Sequence, residues 1–147
     1  MRILVLHGPN LNALGSREPA VYGRATLGDI QHRLEVLAAQ LGCEIECQQT
    51  NHEGVLIDAL HSAKARADGV LLNPGGLSHT SVALRDAVVA SGLPVVEVHL
   101  SNPNAREVFR HTSLSSGAAV GVVQGFGPAG YGLALRGLMG VLSREDE

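Results

Sequence analysis

The sequence predicts an α/β domain built on a mostly parallel sheet, and three observations carry that expectation. Short apolar runs, Ile3-Leu4-Val5-Leu6 and Val70-Leu71-Leu72 among them, lack the alternation of a half-exposed strand, as strands covered on both faces do. Helix-length amphipathic segments separate these runs, an alternation that implies right-handed βαβ crossovers. The connection after the first run, from Gly8 to Gly23, far exceeds the roughly 2–6 residues usual between strand and helix, which marks it as a working loop.

Taken in order, residues 2–7 make the first strand. After the long loop, Thr26-Leu27-Gly28-Asp29 resembles a capping box. Leu27, Ile30, Leu34, Leu37 and Leu41 follow on one helical stripe, with Gly42 as the stop. A second strand begins near Cys43, where alternation puts Cys43, Ile45 and Cys47 on one face and the glutamates on the other. Four strand residues apart, the two thiols stand about 13 Å from each other, too far for a bridge, so both are read as buried reduced thiols. A second helix is expected from about Glu53 to Ala67, with Leu56, Leu60 and Ala63 inward. Val70-Leu71-Leu72 is the third strand, Thr80 to Ser91 the third helix ending at Gly92, and Pro94 to His99 the fourth strand. Ala118 to Val123 and Tyr131 to Leu142 complete the chain as a fifth strand and closing helix. Five such strands fit the flavodoxin-like three-layer sandwich, of order 2-1-3-4-5.

A chain of 147 residues suits one domain, residues 1–147, burying about 68–70% of its unfolded surface. The net charge of −3 comes without a Lys/Arg cluster, which argues against nucleic acid as a partner. No apolar run approaches the roughly 20 residues of a membrane span, and the N-terminus lacks the apolar core of a signal peptide, so the expected location is cytoplasmic.

Ligands of an open α/β sheet bind beyond the carboxyl ends of its strands, where the strand order reverses. At that end the first strand opens into Asn10, Asn12, Arg17 and Tyr22, and the third into Asn73-Pro74-Gly75-Gly76-Leu77-Ser78-His79. The fourth ends in Glu97, His99, Ser101 and Asn102. Gly75 and Gly76 permit close backbone approach, and the following helix N-terminus offers N–H groups to a carboxylate or oxyanion. Glu97 and His99, two apart on a strand, point to the same face. There the carboxylate holds the imidazole in one tautomer and raises its basicity, as suits a proton donor. Tyr22 needs help to be a base, because a phenol ordinarily titrates near ~10. A guanidinium within a few ångström favours the phenolate, and Arg17 in the same loop could supply it.

His7, His32, His52, His61 and His111 show no metal-site spacing and are read as structural or solvated, with His52 a candidate for support. No metal is expected. The only lysine, Lys64, sits on the second helix and is expected to face solvent, which removes the simplest route to Schiff-base catalysis.

The loop Gly8 to Gly23 resembles the signature of the type II 3-dehydroquinate dehydratases. Further blocks resemble that family in its order: Asn51-His52-Glu53-Gly54, Asn73-Pro74-Gly75-Gly76, His79 to Asp86, Glu97 to Asn102, and Gly130-Tyr131. Pro103 and Ser115-Ser116-Gly117-Ala118 depart from the pattern, near Arg106 and Arg110. The resemblance implies the same fold and a cofactor-free lyase. Its reaction is the reversible trans-dehydration of 3-dehydroquinate to 3-dehydroshikimate through an enolate, a step of aromatic amino acid biosynthesis that quinate breakdown also uses. It further implies that Tyr22 is the base, Arg17 its supporter, His99 the proton donor and Asn10 the holder of a water at the enolate. Asn73, His79, the Leu100/Ser101 backbone and Arg110 would bind the substrate. Asp86 would reach a neighbouring subunit's site within a homododecamer built from trimers.

The alternative is a non-catalytic flavodoxin-like small-ligand module. A phospho-receiver of that fold would carry acidic residues after its first strand and a lysine near its last, whereas His7-Gly8-Pro9-Asn10 stands at the first and no lysine at the last. A sensor would have no need of an Arg/Tyr loop facing a Glu/His strand end.

Overall fold

The computed structural model describes residues 1–16 and 18–145, with the side chains of Tyr22 and Glu145 excepted. Strands β1 (Arg2–His7), β2 (Glu44–Gln49), β3 (Gly69–Asn73), β4 (Val95–His99) and β5 (Gly121–Gln124) form one parallel sheet of order 2-1-3-4-5, as the alternation implied. Helices α1 (Pro19–Tyr22), α2 (Leu27–Leu41), α3 (Glu53–Ser62), α4 (Val82–Ala90) and α5 (Ala129–Glu145) complete it. Ile3 and Val5 of β1 bury under α2 and α5, and the alternate residues Leu4 and Leu6 bury with Leu56 and Leu60 of α3 and Leu84 of α4. Both faces of the central strands are thus covered, which explains their unbroken apolar runs.

Helix α2 forms as its sequence specifies. Thr26 Oγ1 accepts the Asp29 N–H at 3.1 Å, Asp29 Oδ2 accepts the Thr26 N–H at 3.0 Å, and Gly42 closes the helix in the left-handed region at φ 75°. Several boundaries differ from expectation, those of α3 and α4 for a local reason. Helix α3 stops at Ser62 because the Ala63 carbonyl accepts both the Arg66 and Ala67 N–H groups, tightening the last turn to a 3₁₀ turn over Ala63–Ala65. Helix α4 starts at Val82 because the Ser81 side chain caps the Leu84 N–H at 2.9 Å. The N-terminus expected beside Gly75 and Gly76 is therefore that of a 3₁₀ turn, Gly75–His79. Strand β5 begins only at Gly121, since Ser116–Ala118 is also a 3₁₀ turn. Helix α5 extends beyond both expected ends.

The cysteines are separate free thiols as expected, but only Cys43 is buried and Cys47 is half-buried. Burial, reinforced by the charges of Glu35 and Glu46, pushes the Cys47 thiol up to about 11. Lys64 is exposed, as expected. Among the described residues no helix is long and apolar enough to cross a membrane.

His7 is fully buried at the end of β1, with Nδ1 2.8 Å from the hydroxyl of the fully buried Tyr131 on α5. Burial lowers its pKa to about 4, against about 6.5 in the unfolded chain. The folded protein therefore refuses a proton that the unfolded chain takes up. Stability from this group is complete above pH 6.5 and falls as the pH drops toward 4, by roughly 3 kcal/mol in all. Urea midpoints measured at pH 7 and pH 5 should show this loss, and His7→Gln should flatten it; parallel slopes for the two proteins would contradict the assignment.

Candidate active site

The carboxyl ends of β1, β3 and β4 open into one hollow of about 170 Å³. Asn10, Asn73, Gly75, Gly76, His79, His99, Leu100, Ser101 and Arg110 all line it, with Pro9, Leu11, Pro103 and Arg106 completing the wall. Ten sequence-derived candidates thus bear on one site, nine as wall residues and Glu97 directly behind His99.

The β1 and β3 loops meet closely at its floor. Gly8 donates to the Asn73 carbonyl at 2.7 Å, and a Cβ on Gly8 would stand 2.7 Å from the Pro74 carbonyl oxygen, so the position admits only glycine. Gly75 adopts φ +59° with Pro9 O 3.0 Å from where a Cβ would lie, a close approach that favours glycine, whereas a Cβ on Gly76 would meet nothing within 4 Å. Asn10 itself is left-handed at φ 72°, an uncommon conformation for a residue with a side chain. Asn51 Oδ1 accepts its N–H at 2.9 Å, and Gln49 Nε2 ties Asn51 Oδ1, at 3.1 Å, to the Gly8 carbonyl, at 3.3 Å. Asn12 is drawn into the same cluster by Gln49, at 3.4 Å, and lies outside the pocket wall.

Asn73, at 2% exposure, is held at both ends: Nδ2 donates to the Tyr131 hydroxyl at 3.1 Å, and Oδ1 accepts the Gly75 N–H at 3.1 Å. His79 Nδ1 lies 2.8 Å from the Thr112 carbonyl, which can only accept; the proton is on Nδ1 and Nε2 is left as an acceptor. Its ring stacks 6.5 Å from that of His99.

Glu97 and His99 bear out the period-two reasoning. His99 Nε2 is 3.0 Å from Glu97 Oε2, and Glu97 is completely buried. Burial alone would push this carboxyl up. The hydrogen bond and charge of His99, with hydroxyl donors from Ser115 and Ser116, outweigh that and hold it below the usual carboxylate range. Glu97 is thus an anion at neutral pH, His99 donates from Nε2, and Nδ1 is the ring nitrogen left to exchange a proton.

Arg106 donates to Ser101 Oγ at 3.2 Å, and Arg110 pairs with Glu107 while stacking 5.1 Å over Phe109. Two cations therefore line a pocket to whose wall no described residue contributes a carboxylate, Glu97 lying behind His99 and Glu107 pairing with Arg110, which favours an anionic ligand. Of the remaining candidates, Arg17 and the Tyr22 side chain lie outside the described residues. The backbone of α1 does flank the site: Val21 and Gly23 share a second hollow with Leu100, Ser101 and Arg106. Asp86 is exposed on α4 and absent from the pocket wall. His52 is an exposed N-cap to α3, also outside the wall.

Sequence reasoning gave no role to the wall residue Arg106, to Gln49 and Asn51 behind Asn10, to Tyr131 behind Asn73, or to the serines around Glu97. The matching blocks around Asn51 and Gly130-Tyr131 were the available signal for two of them; nothing marked the serines.

A flavodoxin-like domain whose strand ends gather a buried Glu–His pair, two asparagines and two arginines into one pocket is a small-molecule acid/base site. The sequence profile described as Dehydroquinase class II matches residues 1–139, and the chain belongs to that family. It is 56% identical over 146 residues to the 3-dehydroquinate dehydratase of Dinoroseobacter shibae, spanning 99% of this chain and 97% of that one. It is 53% identical over 134 residues to catabolic 3-dehydroquinase 2 of Aspergillus flavus, spanning 91% and 89%. The crystal structure of type II dehydroquinase from Butyrivibrio crossotus superposes with a TM-score of 0.92 at 40% identity, over 95% of this chain and 97% of that one.

Proposed function

We propose that the chain is a type II 3-dehydroquinate dehydratase, a lyase of the shikimate pathway that converts 3-dehydroquinate reversibly to 3-dehydroshikimate. The observation that carries this reading is the buried anionic Glu97 bonded to His99 at the pocket wall, in a chain of this family. A non-catalytic ligand module gives no reason to bury a carboxylate for the sake of an imidazole.

In this mechanism Tyr22, as the phenolate favoured by Arg17, takes the proton α to the ketone. The resulting enolate oxygen is met by a water held at Asn10, a dipole set in place before the charge develops. Protonated His99 gives its Nδ1 proton to the departing hydroxyl, which leaves as water. Return of the proton from Tyr22 to His99 through solvent restores both groups. Asn73, His79, the Leu100/Ser101 backbone and Arg110 bind the hydroxyls and carboxylate, and Gly75 and Gly76 let the backbone come close. His79 Nε2 is a ready acceptor for a hydroxyl, and Arg110 a partner for the carboxylate. The chain acts as a single catalytic domain in the cytoplasm, as a homododecamer of trimers in which Asp86, exposed on α4, contributes to a neighbour's site.

No cofactor enters these steps. Among the described residues no group of His, Cys, Asp or Glu is arranged to hold a metal ion, and Lys64 is exposed on the 3₁₀ turn after α3. Turnover of 3-dehydroquinate should persist after borohydride treatment in the presence of substrate, after chelation, and in Lys64→Ala. Inactivation by either reagent would contradict the mechanism.

A further inference from the structure

The Glu97–His99 pair is enclosed by one short segment that the reaction as described does not use. Ser115 Oγ donates to Glu97 Oε1, and Ser116 Oγ donates to Oε2, the oxygen that also receives His99 Nε2. Ser113 Oγ stands 2.7 Å from Ser116 Oγ and 3.5 Å from Glu97 Oε2, and it accepts the Ser116 N–H at 3.1 Å. Both carboxylate oxygens thereby accept from donors, the condition under which a fully buried carboxylate can remain an anion.

The segment is itself fixed by the elements that carry the pocket. Leu114 N–H donates to the Ser78 carbonyl at 2.6 Å, Arg85 Nη1 of α4 donates to the Leu114 carbonyl at 2.6 Å, and His79 Nδ1 holds the Thr112 carbonyl. Ser115 is 1% exposed. A connector that only had to reach β5 has no need of hydroxyls converging on one carboxylate.

Resting on the dehydratase reading, we propose that Ser115 and Ser116 are positioning residues for the proton donor. By holding Glu97 as the anion they keep the Nε2 proton of His99 directed at the carboxylate, so that Nδ1 is the nitrogen that delivers a proton to the leaving hydroxyl. Without the two hydroxyls, Glu97 can take the Nε2 proton itself. The pair then becomes neutral, and His99 loses both its orientation and its charge.

The test is the full chain carrying Ser115→Ala and Ser116→Ala together, assayed with 3-dehydroquinate in the native and His99→Ala backgrounds. In the native background kcat should fall about tenfold or more, short of the roughly 10²–10⁴ of a lost acid, with KM little changed. Ser116→Thr, which keeps the hydroxyl, should recover most of the rate lost in Ser116→Ala. In the His99→Ala background the serine changes should cost nothing further, because they act through His99. An unaltered kcat, or losses that multiply with His99→Ala, would overturn the proposal. A second measurement is independent of turnover: the ¹⁵N signals of the His99 ring, assigned with His99→Asn, should shift in the double variant. An unchanged His99 spectrum overturns the role of the serines, whereas a wild-type protein that leaves 3-dehydroquinate untouched counts against the dehydratase reading instead.

Discussion

Tyr22→Phe should lower turnover by about 10²–10⁴, the usual worth of a positioned acid or base, while the fold and inhibitor binding persist. The substitution removes the phenol oxygen but little volume, and the wall residues Asn10, Asn73, His79, Ser101 and Arg110 remain in place to bind. Arg17→Ala has a different signature. It leaves the phenol without its cationic partner, so residual activity should recover as the pH rises toward the phenol's own value near ~10, and Tyr22→Phe should show no such recovery. Because the two residues act as one unit, their losses should not add, and the double variant should be scarcely worse than Tyr22→Phe. Steady-state rates across pH decide the matter. Multiplying losses, or near-normal turnover in Tyr22→Phe, would reduce the loop to a lid.

His99→Ala should cost kcat a comparable factor, about 10²–10⁴, for a different reason: the departing hydroxyl must then leave without a proton. His99 is 8% exposed with Nε2 committed to Glu97, so it presents one proton to the pocket in one geometry. Substrate binding should change little, since the remaining wall residues are untouched. Free imidazole added to the variant should restore part of the rate, because the deletion leaves a space beside an anion that can orient a soluble donor. A rate unresponsive to imidazole, together with a raised KM, would mean that His99 binds substrate and another group supplies the proton.

Where structure depends on neighbours along the chain, the sequence was legible. The Thr26/Asp29 box, the Ile30-Leu34 stripe and the Gly42 stop are local signals, and α2 formed as they specified. Glu97 and His99 were legible for the same reason, because two residues on a strand share a face whatever surrounds them. The convergence of three loops followed from topology, since a 2-1-3-4-5 sheet brings the ends of β1, β3 and β4 together.

What escaped depends on groups far apart in sequence. Ser115 and Ser116 are separated from Glu97 by 18 and 19 residues, and Tyr131 from His7 by 124. No period links them, and a serine in a loop looks the same whether it caps a turn or holds a carboxylate. The start of β5 failed on the same account, whereas the ends of α3 and α4 turned on local hydrogen bonds. The 3₁₀ turn at Ser116–Ala118 is fixed beside side-chain bonds to a buried glutamate rather than by propensity, so β5 begins three residues later than its apolar run suggested.

The most direct measurement is ultraviolet absorbance on mixing the protein with 3-dehydroquinate. The conjugated enone of 3-dehydroshikimate should appear at a rate proportional to enzyme concentration and approach the same equilibrium from either side; silence at high enzyme concentration would contradict the assignment of this pocket to the dehydration.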